Sequence, residues 1–152
     1  MLPSLSIAPE SPLTADGLAL IAASQRALEE VFPPDAIFSF SPEELATPDV
    51  AFLVARDGGE PLACVAMVDC GDYVEVKRLF VPPEGRGRGL ARALMAGLEA
   101  RAKAAGKGRI MLETGDALVA AVALYRALGY RARGPFGDYP EHPASLFMEK
   151  AL

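Results

Sequence analysis

The stretch Val81-Pro82-Pro83-Glu84-Gly85-Arg86-Gly87-Arg88-Gly89-Leu90-Ala91 joins the end of one apolar run to the start of another with a different period. It reads as strand end, glycine loop and helix start, because Leu90, Ala91, Leu94, Met95, Leu98 and Ala102 recur at the spacing of one helix face. Glycines at 85, 87 and 89 let the backbone approach a ligand closely. The first N–H groups of a helix have no partner within it, and the helix dipole favours negative charge there. Arg86, Arg88 and Arg92 add fixed positive charge. The segment is a candidate cradle for phosphate oxygens; an ordinary loop with solubilising arginines is the alternative. It matches neither Gly-x-Gly-x-x-Gly nor Gly-x-x-x-x-Gly-Lys-Ser/Thr, which argues against a dinucleotide fold and a P-loop nucleotidase.

Upstream, residues 50–56, 61–69 and 73–81 are apolar runs separated by Asp57-Gly58-Gly59-Glu60 and by Gly71-Asp72, the pattern of a three-stranded antiparallel meander. Leu5-Ser6-Ile7 is a short strand, and residues 14–30 form a helix capped by Thr14 and stopped by Pro33-Pro34. Ser41-Pro42-Glu43-Glu44 supplies the cap, first residue and acidic first turn of a brief second helix. Downstream of the glycine loop, Gly106 ends its helix, residues 109–113 make a strand, and residues 117–128 make a very apolar helix that reads as core and ends at Gly129. Residues 130–144 hold a strand start and a Pro- and Gly-bearing loop, and residues 145–150 a last strand. The order β-α-α-β-β-β-α-β-α-β-β predicts an α/β (α+β) fold with a mixed, mostly antiparallel sheet and helices on both faces.

The 152 residues suit a single domain over 1–152, and 51% hydrophobic residues exclude whole-chain disorder. Fifteen Lys plus Arg against twenty Asp plus Glu leave a net charge of −5, which argues against nucleic acid as a partner. Two cysteines and one histidine offer no zinc quartet, so no metal is expected. Cys64 and Cys70 fall in one predicted strand, roughly 20 Å apart, and read as reduced core thiols. Met1-Leu2-Pro3-Ser4-Leu5 lacks a basic region and a long apolar stretch, and the apolar run 117–125 is half a membrane span. The expectation is a cytoplasmic protein without a membrane segment, a monomer or homodimer.

Two motifs carry a resemblance. Arg86-Gly87-Arg88-Gly89-Leu90-Ala91 resembles the Arg/Gln-x-x-Gly-x-Gly/Ala motif of the GNAT N-acetyltransferase superfamily, which holds the pyrophosphate of acetyl-coenzyme A. Ala121-Val122-Ala123-Leu124-Tyr125-Arg126-Ala127-Leu128-Gly129-Tyr130 resembles its Ala-Ile-x-Leu-Tyr-x-x-x-Gly-Phe/Tyr helix. They stand in the family's order, and the tail from Gly134 to Lys150 is similar to a large bacterial branch without assigned substrates. The resemblance implies acetyl-CoA as co-substrate, held by Phe80, Val81, Arg86, Gly87, Arg88, Gly89, Leu90, Ala91, Arg92 and Tyr125. Many members carry an Asn seven residues before the helix tyrosine; Leu118 stands there in this chain.

Acyl transfer from a thioester to an amine needs a neutral nucleophile, oxyanion stabilisation and a proton for the leaving thiolate. Glu75, in the apolar run Tyr73-Val74-Glu75-Val76, is the first candidate base, with a structural pair to Lys77 on the same strand face as its alternative. Glu113, just before Thr114-Gly115, is the second, with a capping or surface role equally open. By the resemblance, Tyr125 protonates the thiolate, and the N–H of Val81 receives the oxyanion where two strands part at a bulge. Lys77 and Arg78 are read as pairing with acidic neighbours or lining the acceptor cleft. His142 is read as a polar-loop residue, with a catalytic role as its alternative, and Asp138, Tyr139 and Glu141 as solvated loop, with an acidic rim as the sharper alternative. The acceptor implied is the primary amine of a small, amino-acid-like metabolite. A protein N-terminus or lysine is the alternative acceptor, and a non-catalytic acyl-CoA sensor the alternative role.

Overall fold

In the computed structural model, which describes residues 4–152, the chain folds around one seven-stranded sheet of order β1-β2-β3-β4-β5-β7-β6. The strands are β1 (Leu5–Pro9), β2 (Val50–Asp57), β3 (Glu60–Asp69), β4 (Tyr73–Phe80), β5 (Arg109–Thr114), β6 (Arg131–Arg133) and β7 (Leu146–Ala151). Only β4 and β5 pair in parallel, through the crossover helix that starts at the glycine loop. The predicted element order holds throughout. Of the N-terminal reading, residues 1–3 lie outside the described residues.

Local chemistry explains the ends of the helices. Helix α1 (Ala15–Glu29) starts where the Thr14 hydroxyl accepts from the Gly17 N–H at 3.0 Å. Helix α2 (Pro42–Leu45) has a full capping box, Ser41 and Glu44 each accepting from the other's backbone N–H. Helix α3 (Leu90–Ala104) begins at Gly89, whose φ of +76° is left-handed, and has no side-chain cap. Helix α4 (Val119–Ala127) follows Leu118, likewise without one.

The period-two pattern of β2 separates two cores. Leu53 and Ala55 face α3 with Val65, Val76, Leu94, Leu98 and Ile110. Phe52 and Val54 face α1 and α2 with Leu20, Ile21 and Leu45. A third cluster of Met111, Phe136 and Phe147 fastens the loop after β6 to the sheet.

Three expectations change. Cys64 is buried, but Cys70 is exposed because β3 stops at Asp69. Helix α4 is not core: among its residues only Tyr125 is fully buried, and Val119 is 73% exposed. The bulge falls earlier than Val81, because Arg78 and Leu79 together oppose the single residue Val65 between the pairs Cys64–Phe80 and Ala66–Lys77.

Leu98, fully buried between α3 and the sheet, is expected to cost about 2–5 kcal/mol of stability when cut to alanine, read from urea midpoints. Leu13→Ala, at a residue 49% exposed, should stay within about 0.5 kcal/mol.

Candidate active site

Parallel pairing of β4 with β5 ends at Val76 and Leu112, and the two strands part beyond it. Arg78 takes φ +54° at the bulge, a conformation costly for a side chain of its size. Its guanidinium fixes it there: Nε and Nη2 donate to the Phe40 carbonyl at 3.2 and 3.0 Å, Nη2 to Gln25 Oε1 at 2.9 Å, and Nη1 to Ser24 Oγ at 3.2 Å. Helix α1 and the segment before α2 are thereby tied across the end of β4.

Two cavities meet at this parting, sharing Ser24, Leu28, Leu79, Leu118 and Ala121. The larger, about 550 Å³, runs along the glycine loop and the start of α4. Phe80, Val81, Arg86, Gly87, Gly89, Leu90, Ala91 and Arg92 line it; Arg88 does not. A Cβ at Gly87 or Gly89 would meet nothing within 4 Å, so these glycines answer the positive φ of the turn rather than crowding by the protein. Arg86 and Arg92 have no carboxylate partner among the described residues. The opposite wall is the wet, apolar side of α4, from Leu118 to Leu124. A cationic, N–H-rich end and an apolar length fit an elongated ligand with phosphates at one end.

The smaller cavity, about 130 Å³, lies between the parted strands and is lined by Phe32, Phe38, Lys77, Arg78, Glu113 and Tyr125, among others. Gly115 lets the Phe32 ring close one wall, since a Cβ there would stand 2.6 Å from Phe32 Cζ and 2.7 Å from the Ala144 carbonyl. Burial pushes the Glu113 carboxyl up to about 7, against the lowering effect of the Ser145 hydroxyl, which donates to it at 2.9 Å. Burial, with the charge of Glu113 second, raises the Tyr125 phenol well above its ordinary value. No described group hydrogen-bonds the Tyr125 hydroxyl, while its ring packs edge-on against Tyr130.

Glu75 takes a different place. It is buried, pairs with Lys77 at 3.3 Å and accepts from the Tyr139 hydroxyl, and it lines neither cavity. Lys77 also donates to Tyr139 and to the Phe38 carbonyl at 2.7 Å. Tyr139 therefore points inward, not to a solvated rim. His142 Nε2 meets Asp35 at 3.1 Å and its Nδ1 accepts from the Ala144 N–H, which ties the 134–145 loop to the turn at residues 34–36. Sequence reasoning missed Phe32, Ser24 and the anchoring of Arg78. The one available signal was a large cation inside an apolar strand. Among the described residues no group of three or more His, Cys, Asp or Glu could hold a metal, and no helix is long and apolar enough to cross a membrane.

Residues 18–130 match the acetyltransferase (GNAT) family. The chain belongs to that family. This acetyltransferase is 42% identical to the IAA acetyltransferase of Azospirillum brasilense over 153 residues, 99% of this chain and 100% of the relative. A solved structure from Klebsiella pneumoniae described as an acyl-CoA N-acyltransferase overlays it with a TM-score of 0.80 at 35% identity, over 97% of each chain. The PaiA N-acetyltransferase of Thermoplasma acidophilum, solved with coenzyme A, gives a TM-score of 0.76 at 18% identity, over 98% of this chain and 99% of that one, a likeness that bears on the fold alone. Acetyl-CoA is the acyl donor of the family, and the larger cavity of this acetyltransferase suits it in charge and in length.

Because the folded chain keeps the Glu113 proton up to about pH 7 while an ordinary glutamate loses it near 4.5, the unfolded state binds fewer protons in between. Stability should therefore fall as pH rises through that window. Glu113→Gln should flatten the fall, which urea midpoints taken from pH 4.5 to 7.5 will show; an unchanged slope would remove Glu113 as its source.

Proposed function

We propose that the protein is an N-acetyltransferase that moves the acetyl group of acetyl-CoA directly to a primary amine of a small, amino-acid-like acceptor, with Glu113 as base and Tyr125 as acid. The observation that carries this reading is that Glu113 and the unengaged Tyr125 hydroxyl share one small cavity, at the point where it joins the cavity suited to the coenzyme. When bound, the coenzyme supplies an activated thioester. A lysine-like amine is neutral in only about one molecule in 2,500 at pH 7, a deficit of roughly 4.6 kcal/mol, whereas an α-amino group needs less help. Glu113, near half-ionised at neutral pH, is matched to drawing that proton.

The new bond joins amine nitrogen to acyl carbon as the carbon–sulfur bond breaks. Tyr125 keeps its proton at neutral pH and can release it to the departing sulfur, the amine proton passes to Glu113, and solvent exchange restores both groups. The N–H of Val81, just past β4 and on the wall of the larger cavity, is the candidate oxyanion donor. Glu75, held by Lys77 and Tyr139, braces the cavity wall in this reading. The 130 Å³ volume favours a compact acceptor over a protein segment.

Tyr125→Phe should lower kcat by about tenfold or more while the dissociation constant of coenzyme A, read by calorimetry, stays within about twofold. With Glu113→Gln, kcat/KM should lose its rise through pH 7 and keep only the slower climb that follows the free-amine fraction towards the amine's own, higher pKa. Glu75→Gln should retain the rise; if it abolishes the rise instead, the base is Glu75.

A further inference from the structure

Arg78 lines the smaller cavity, yet all its hydrogen bonds go to neutral acceptors: one carbonyl, one amide oxygen and one hydroxyl. A guanidinium carries five N–H donors, and four are engaged, so one N–H on Nη1 is unspent. Among the cations that are not solvent-exposed its position is unusual. Arg56, Lys77, Lys107, Arg133 and Lys150 each meet a carboxylate within 3.3 Å, whereas Arg78 meets none among the described residues. Cations withdrawn from water are ordinarily paired. The second cation on the same wall is Lys77, whose balancing carboxylate, Glu75, lies off the cavity. With Lys77 balanced by Glu75 and Glu113 half-ionised at most near pH 7, Arg78 leaves the cavity net positive in a chain whose net charge is −5.

We propose that the acceptor carries a carboxylate as well as its amine, and that Arg78 receives the carboxylate through Nη1, with the Ser24 hydroxyl as the partner it displaces or shares. This rests on the acetyl-transfer reading of the same site and narrows it. A charge-assisted N–H bond to a carboxylate is stronger than one to a neutral oxygen, and Nη1 has an N–H free to make it. The acceptor's amine is then directed to the Glu113 end of the cavity, and its side chain to the apolar wall of Phe32, Ile37 and Leu79. The same wall disfavours polyamines and aminoglycosides, which bring further positive charge towards Arg78 and Lys77. The acidity of the whole chain points to a cationic acceptor; the local charge points the other way, and at the few ångströms of a bound substrate the local charge decides.

The test compares the common amino acids with their carboxamides in two assays: coenzyme A release from acetyl-CoA, and calorimetric binding to protein saturated with coenzyme A. The expected result is at least one acid used with kcat/KM about tenfold or more above its amide, chiefly through KM. An amide's amine gives up its proton more readily than the acid's, so amine ionisation does not produce that preference. Arg78→Gln should shrink the ratio to about twofold, and Arg78→Lys should keep part of it. Equal use of acids and amides overturns the proposal, as does a ratio that survives Arg78→Gln, or the absence of acid binding. If Arg78→Gln does not fold, the wild-type comparison decides alone. Arg78-dependent binding of acids without any turnover upholds the carboxylate site and sinks the acetyl-transfer reading instead.

Discussion

The left-handed backbone of Arg78 is the constraint on which the site is built. A non-glycine residue at φ +54° costs on the order of 1–3 kcal/mol and persists only where its surroundings hold it. Here four hydrogen bonds from one side chain do so, fixing α1 and the Phe38–Phe40 segment to the same point. The bulge interrupts the ladder with β3, and β5 leaves β4 one turn of the pleat earlier. Without it, β4 and β5 could zip further and close the space that Glu113 and Tyr125 line. The sheet thus gives up pairing at one place, and the two cavities meet at the resulting gap.

Burial then divides the labour between two groups in that gap. Desolvation favours the neutral form of any acid, so it raises both Glu113 and Tyr125, but from very different starting values. The carboxyl arrives near neutrality and can exchange a proton there, while the phenol moves out of range and stays protonated. One physical cause thus leaves one group on this cavity able to titrate near neutrality and the other protonated there. Glu75, a carboxylate of the same strand layer, is kept out of this by Lys77 and Tyr139.

Much of the fold was legible because its signals are local. The glycine loop, the caps at Thr14 and Ser41 and the meander turns each specify a short piece of backbone, and the pieces leave little freedom in how they assemble. The different settings of Glu75 and Glu113 were not legible, since both sit in apolar strands and the inward turn of Tyr139, from a loop 64 residues away, engages only the first. The bulge at Arg78 had no local marker, because a left-handed arginine is stabilised by distant acceptors rather than by its neighbours in sequence. Helix α4 misled for a related reason: apolar composition usually signals core, and here it signals a wall awaiting a ligand.

That wall links folding to ligand binding. Val119 and its neighbours on α4 remain in contact with water unless something lies along them, so part of the apolar burial this chain can achieve is lent by whatever fills the groove. A ligand that binds only the folded state stabilises it by mass action. A ligand lying along α4 would therefore slow unfolding and proteolysis of the chain, by an amount set by its concentration relative to its dissociation constant.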